Sequence, residues 1–302
     1  MAGWMVVRRT LAGAFALAAI AYVGAIAYLK LNETALVYHP REAAFESGRL
    51  NAPPAELHVE TVRFDASDGT HLTAWLIPPP AGDTASLWVL VCHGNAGNIT
   101  LTKRQDYYSR LRALGVGILA FDYRGFGASE ERTPTESGLY LDAQAAYDFL
   151  RRARGVPARR IVIFGHSLGT GVAVELASRD SAAGLVLEGA YTSVPDAGQR
   201  RYPIIPVRLI ASNRFASIDK IARVNMPKLL LHARDDVVIP FDLGEELYAR
   251  ASAPKQFQDL TGGHEDAFRL DPRYFAAFAE FLQRVRSENA VGAEARIERA
   301  AR

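Results

Sequence analysis

Cysteine is almost missing from this chain: Cys92 is the only one among 302 residues. An intramolecular disulfide is therefore excluded. Cys92 closes the apolar run Leu87–Cys92, where a free thiol is expected to pack as a small core hydrophobe. It is not a candidate nucleophile, because a better one stands further along. The lack of a disulfide does not fix the compartment, since exported proteins need none. A charge surplus is missing too. Thirty-five Lys and Arg face 33 Asp and Glu, so nothing favours a polyanionic partner, and no nucleic-acid motif is present. No nucleic-acid partner is expected. There is no Gly-Lys-Ser/Thr to cradle a nucleotide phosphate and no ligand cluster with metal-site spacing. Neither a metal nor an organic cofactor is expected. No internal repeat appears. With 49% apolar and 23% charged residues, wholesale disorder is excluded.

What the chain does have begins at its N-terminus. Arg8 and Arg9 precede an uncharged stretch from Thr10 to Leu29, and Lys30 closes it. About 20 such residues suffice to cross a bilayer core as a helix. A buried core helix would show a polar face, and this stretch has none. It reads as an uncleaved anchor, being longer than the usual signal-peptide core. The alternative is a signal peptide cut at Ala25-Ile26-Ala27, which would release a secreted protein. In both readings the positive-inside bias puts Arg8 and Arg9 in the cytoplasm and the rest of the chain on the extracytoplasmic, periplasmic side.

Residues 1–30 thus form a membrane segment, and 31–57, with Pro40, Pro53 and Pro54, a linker. His58–Phe64 alternates polar and apolar residues. Thr70–Ile77 resumes after Asp68-Gly69, a hairpin turn signal. Short apolar runs follow at Leu87–Cys92, Val116–Phe121, Ile161–Phe164, Leu185–Leu187 and Lys228–Leu231. Their lack of alternation suits strands buried on both faces of a parallel sheet. Helical spacing separates them: Thr102–Leu114, a segment after Pro134 with Leu139, Ala143, Ala146, Tyr147 and Leu150 on one face, and a segment from Ser167 through Leu176. A last apolar-faced helix, Pro272–Val285, precedes a charged tail, 287–302, expected to fray. The alternation of helix and strand gives an α/β fold over about 58–286.

The chemistry centres on Gly165-His166-Ser167-Leu168-Gly169. A serine on a tight strand-to-helix turn has a strained backbone, and flanking glycines leave room for it. That turn lifts the hydroxyl above the sheet. The pattern by itself is weak; the apolar strand before it and the helical spacing after it supply the context. A serine hydroxyl needs a base to become a nucleophile. In this arrangement the partners follow in the order serine, acid, histidine. Gly262-Gly263-His264 presents a histidine in a glycine loop, so His264 is the candidate base. The acid lies in His232-Ala233-Arg234-Asp235-Asp236, just past a strand end. Spacing to Pro240 favours Asp236, with Asp235 as the alternative. Attack on a carbonyl builds charge on oxygen, so oxyanion donors are required. Leu168 N–H is one candidate. Asn95 N–H, in the loop His93-Gly94-Asn95-Ala96-Gly97-Asn98, is the second.

Taken together, that loop, Asp122-Tyr123-Arg124-Gly125-Phe126-Gly127-Ala128-Ser129, Gly138-Leu139-Tyr140-Leu141-Asp142-Ala143 and the serine motif resemble the BEM46-like branch of the α/β-hydrolase superfamily, the ABHD12, ABHD13 and ABHD17 type. The resemblance spans roughly Ala35 to Phe281 and extends to the membrane segment in front. It implies an α/β-hydrolase fold with a mostly parallel eight-stranded sheet, flanking helices and a short lid, here about 194–226. It implies a Ser-Asp-His triad acting on acyl esters or thioesters, and it supports Asp236, four residues past His232. The chain departs from many relatives at Ser129-Glu130-Glu131 and at Glu188-Gly189-Ala190. Both departures lie off the triad and are expected to reshape the entrance.

The expected activity is a serine hydrolase of carboxylic esters or thioesters, on a small-molecule or lipid-like acyl substrate, with a membrane contact through the N-terminal helix. A serine peptidase on the same fold is the second reading. A non-catalytic membrane scaffold is the third, disfavoured because serine, acid, histidine and both oxyanion segments are all present. In the lid, Arg200-Arg201-Tyr202-Pro203-Ile204-Ile205-Pro206 mixes basic and apolar residues. An ordinary lid covering the pocket is preferred there over a lipid contact, because prolines interrupt the stretch.

Overall fold

Eight strands form one sheet in the computed structural model, which describes residues 2–40, 50–80 and 86–300. Residues 41–49 of the expected linker lie outside the described residues. The strands are β1 (Glu60–Asp65), β2 (His71–Ile77), β3 (Trp88–Cys92), β4 (Gly117–Phe121), β5 (Ile161–His166), β6 (Gly184–Glu188), β7 (Lys228–Ala233) and β8 (Lys255–Leu260). Their spatial order is β1-β2-β4-β3-β5-β6-β7-β8. The β1–β2 hairpin is antiparallel and β2 meets β4 antiparallel. Every other pairing is parallel. Each apolar run read from the sequence falls on a strand, with ends shifted by one or two residues.

The runs do not alternate because both sheet faces are covered. On one face Leu90, Leu119, Ile163, Leu185 and Leu230 pack beneath α4 (Glu136–Asp148), α5 (Leu168–Arg179) and α8 (Phe241–Arg250). On the other, Val89, Ile118, Val162, Val186 and Leu229 share a core with α3 (Thr102–Arg112), α9 (Ala267–Leu270) and α10 (Arg273–Ala300). Phe278, Phe281 and Leu282 of α10 are essentially inaccessible. Burying each such side chain contributes about 1.5–3 kcal/mol. Cys92 is buried, as a core thiol should be, and burial pushes its pKa up to about 12. The helix continues to Ala300 and so includes residues 287–300 of the charged tail. Residues 287–300 hold Ala, Glu and Arg, all good helix formers, which lets the backbone pattern run on.

The crossing from β4 to α4 is held by buried charge. Arg124 donates from Nη2 and Nε to Asp142 Oδ1 (2.7 and 3.0 Å) and from Nη1 to Asp68 Oδ2 (2.7 Å). Asp122 accepts from the Ile99 N–H at 2.9 Å and so ties this loop to the one after β3. Thr135 caps α4 by accepting from the Gly138 N–H at 3.0 Å, a bond whose loss costs about 1 kcal/mol. The Asp122–Ser129 motif is therefore a brace for the neighbouring loop.

Outside the sheet, α1 (Ala2–Leu31) leads into α2 (Glu33–Val37). It is the one helix among the described residues long and apolar enough to cross a membrane, over Val7–Leu31, and none of its apolar window is buried. Between β6 and β7 run α6 (Val194–Arg201), α7 (Val207–Ile210) and two short 3-10 turns, within the span read as a lid.

Candidate active site

Strand β5 delivers Ser167 and α5 begins at the next residue, so the serine occupies the turn between them. Its backbone stands at φ 52° and ψ −124°. For a non-glycine residue this costs on the order of 1–3 kcal/mol, which the surrounding packing must hold in place. The two glycines of the motif are explained by close approach. A Cβ on Gly165 would lie 2.5 Å from the Gly169 carbonyl oxygen. A Cβ on Gly169 would lie 2.0 Å from the Cys92 carbonyl oxygen and 2.6 Å from that of His93. Helix α5 thus presses its first turn against the end of β3.

This contact yields a prediction with competing signs. Alanine favours a helix over glycine by about 1 kcal/mol, whereas overpacking against fixed backbone costs about 3 kcal/mol. The second term wins. Gly169→Ala is expected to lower the melting temperature by about 6 °C or more, read by circular dichroism. An unchanged or higher melting temperature would mean that the approach of α5 to β3 is looser than these distances.

The expected partners come from two other loops. His264 Nε2 lies 2.8 Å from Ser167 Oγ, and His264 Nδ1 lies 2.7 Å from Asp236 Oδ2. The other carboxylate oxygen, Asp236 Oδ1, accepts from the N–H groups of Val238 (2.8 Å) and Ile239 (2.7 Å). All three side chains are buried. The neighbouring Asp235 is exposed and makes none of these contacts. Gly189, in a left-handed conformation, leaves the space under His264: a Cβ there would stand 3.1 Å from the ring.

Electrostatics sharpen the line. Burial pulls the His264 pKa down, but the hydrogen bond and charge of Asp236 outweigh it, and the net shift is upward. Asp236 is the converse case: burial raises it, the bond to His264 and the two N–H donors lower it further, and it stays ionised. His166, packed against His264 with ring centroids 5.2 Å apart, is pushed down to about 4 by burial. It is neutral near pH 7 and adds no repulsion when His264 takes a proton. Burial also pushes Glu188 up to about 7, and Tyr274 Oη donates to it at 2.8 Å. Glu188 was not singled out from the sequence as a site residue. Its position at the end of a buried strand was the available signal.

Leu168 is the first residue of α5, so its N–H has no partner within the helix. Asn95 lines the same cavity as Ser167 and Leu168. Its loop is pinned from several sides. The His39 N–H donates to the Asn95 carbonyl (2.8 Å), Asn95 Nδ2 donates to the Val37 carbonyl (3.1 Å), and Arg104 Nη2 donates to the Ala96 carbonyl (2.7 Å). Residues around α2 therefore brace the loop, which spacing alone did not reveal.

Two cavities adjoin the site. One, about 290 Å³, holds Ser167 and is walled mainly by apolar side chains from α2, α6 and α7, among them Val37, Val194, Val207 and Ile210. The larger, about 590 Å³, lies on the far side of Gly94 and His166 and does not include Ser167. Among the described residues one group has metal-ligand geometry: His166, His264 and Glu265 offer atoms within 4.8 Å of one another. A cation there would compete with the His264 bonds to Ser167 and Asp236 and with the ion pair between Glu265 and Lys103.

Comparison with known proteins agrees with this architecture. Residues 81–297 match the model of the alpha/beta hydrolase family. An uncharacterized protein of Mycobacterium tuberculosis (strain ATCC 25618 / H37Rv) is 35% identical over 277 residues, 91% of this chain and 95% of that one. Lysophosphatidylserine lipase ABHD12 of Danio rerio is 35% identical over 198 residues, covering 60% of this chain and 50% of the lipase. Among solved structures, esterase Pf2001 of Pyrococcus furiosus superposes with a TM-score of 0.67 at 21% identity, over 82% of this chain and 99% of the esterase. That likeness shows the α/β-hydrolase fold.

Proposed function

The chain belongs to the alpha/beta hydrolase family, and within it we propose a serine hydrolase that cleaves carboxylic esters or thioesters through an acyl-Ser167 intermediate. We place it in the BEM46-like branch, on the motifs already described. One observation carries the reading: Ser167, His264 and Asp236 stand in a hydrogen-bonded line at 2.8 and 2.7 Å, beside a cavity with largely apolar walls.

In this mechanism His264 Nε2 takes the Ser167 proton as Oγ attacks the acyl carbonyl. Asp236 holds the ring with its proton on Nδ1 and stabilises the imidazolium. The oxyanion accepts from the N–H groups of Leu168 and Asn95. Loss of one such donor costs about 3–4 kcal/mol of barrier. His264 then protonates the leaving oxygen or sulfur, and a water deprotonated by His264 releases the acid. The apolar cavity takes the acyl chain. Helix α1 anchors the domain on the extracytoplasmic face, so a membrane-borne acyl substrate is within reach.

The test is fluorophosphonate labelling together with a p-nitrophenyl ester chain-length series. Labelling at Ser167 is expected. Each added methylene should raise kcat/KM up to about fourfold, the equivalent of 0.8 kcal/mol per buried CH₂, until the cavity is full. A folded protein that neither labels nor turns over any ester in the series would overturn the proposal.

A pH profile tests the base separately. His264 must be neutral to accept the serine proton, and its pKa is raised. Activity is thus lost as pH falls through that raised value. The acidic limb of kcat/KM is expected above the ordinary histidine value of about 6.5. A limb well below 6.5 would contradict the Asp236–His264 coupling.

A further inference from the structure

Exposed apolar residues gather on one side of the domain, and hydrogen bonds tie that side to α1. Ile204 is 78% exposed and Leu209 85%. Ile204 precedes α7 and Leu209 lies on it, and nothing among the described residues covers either side chain. Singly exposed apolar residues are ordinary, but these two share a short segment whose height along α1 is fixed at two points. Tyr22 Oη donates to the Ile204 carbonyl at 2.9 Å. Eight residues further along α1, Lys30 Nζ donates to the Ile210 carbonyl at 2.7 Å and also bonds Ser212. Glu33 then accepts from the Ser212 N–H (2.7 Å) and from the N–H and side-chain amide of Asn213 (2.6 and 2.9 Å). The segment 204–213 therefore runs alongside the end of α1, from the height of Tyr22 to that of Glu33.

Those heights differ in kind. Lys30 ends the uncharged stretch and marks its watery edge. Tyr22 lies seven residues before Leu29, about 10 Å further in at 1.5 Å per residue. A chain segment hydrogen-bonded to Tyr22 is carried to that depth. We propose that the turn between α6 and α7, which carries Ile204, and the exposed side of α7, which carries Leu209, are embedded in the same membrane leaflet that α1 enters. The partner of this surface is a lipid bilayer. The inference rests on the reading of α1 as a retained anchor.

The chemistry of the turn fits that seat. Tyr202, half-exposed beside Ile204, is the kind of amphipathic ring that favours the interface. Arg201 and Arg208 flank the apolar tip, as basic residues at headgroup level do. Arg208 is paired with Asp196 at 2.7 Å, which lowers the cost of holding it near the boundary. Tyr202, Val207 and Ile210 also wall the Ser167 cavity together with Leu29 and Lys30 of α1. The cavity therefore meets the bilayer along this turn. An ordinary lid over the pocket is the alternative for this stretch. Within this proline-bounded turn the two isoleucines divide: Ile205 is buried, whereas Ile204 points away from the protein.

Labelling with an environment-sensitive NBD fluorophore tests this on the full chain. Cys92 is fully buried, so a single introduced cysteine takes the label. Ile204→Cys, Leu209→Cys, Phe15→Cys in the middle of α1, and Arg152→Cys at the far end of the domain would be reconstituted in phosphatidylcholine vesicles containing phosphatidylglycerol. Lipids bearing doxyl groups on the acyl chain then quench any label within the leaflet. Labels at 204, 209 and 15 are expected to lose about half of their emission or more, as groups seated 5–10 Å into the boundary should. The label at 152 should be unaffected. If the label at 15 is quenched while 204 and 209 behave like 152, the embedded turn is wrong and the anchor stands. If the label at 15 is unquenched, the anchor reading fails and this inference falls with it.

Discussion

Ser167→Ala is expected to lower ester turnover about a millionfold and to abolish fluorophosphonate labelling, with the fold intact. The size follows from how the three groups act together. Without Oγ there is no nucleophile for His264 to activate, and without His264 the hydroxyl keeps its proton. Removal of either therefore costs nearly as much as removal of both. His264→Ala should fall about as far, and the double variant no further. Independent contributions would instead multiply, so near-equality of single and double variants is the sign of one hydrogen-bonded unit. Ser167→Gly separates chemistry from strain. It removes the hydroxyl and also relieves the φ of 52°, so it should be inactive yet more stable than Ser167→Ala by about 1 kcal/mol or more. Residual turnover of the alanine variant within about tenfold of wild type would remove Ser167 from the chemistry.

How much of this was legible in the sequence depends on the range of the signal. Strands β3 to β7 announced themselves as apolar runs because both faces of a parallel sheet are buried, and the hairpin β1–β2 showed its turn at Asp68-Gly69. The serine turn was visible because its glycine pattern stands between an apolar strand and a helical segment, although the contact that forces Gly169, with the carbonyls of Cys92 and His93, is a distant one. The strand order was not visible in the residues themselves, since β3 sits between β4 and β5 through crossovers that no local pattern encodes. The brace on the Asn95 loop was hidden for the same reason. It depends on His39, 56 positions earlier, meeting the Asn95 carbonyl. Likewise Arg124 stands in the Asp122–Ser129 motif, but its partners Asp68 and Asp142 lie on separate elements and only the fold joins them. The exposure of Ile204 and Leu209 was not legible either, because it depends on what the neighbouring elements leave uncovered.

The adjacent aspartates show the limit most clearly, and they carry the second large prediction. Spacing favoured Asp236 without excluding Asp235. In the folded chain only Asp236 turns inward, with one oxygen on His264 and the other on two backbone N–H groups. Asp236→Asn is expected to lower kcat about ten-thousandfold with little change in shape. The two N–H groups of Val238 and Ile239 require an acceptor, so the amide oxygen of the asparagine takes the place of Oδ1. Its NH₂ must then face His264 Nδ1. A ring that accepts at Nδ1 carries its proton on Nε2, and Nε2–H cannot take a proton from Ser167. The variant is thus locked in the wrong tautomer. Asp235→Asn, on an exposed side chain, should stay within about threefold of wild type, the range of ordinary surface changes. Should Asp235→Asn cost more than Asp236→Asn in p-nitrophenyl ester turnover, the acid would have to be reassigned, because the geometry leaves the exposed carboxylate no contact through which to act.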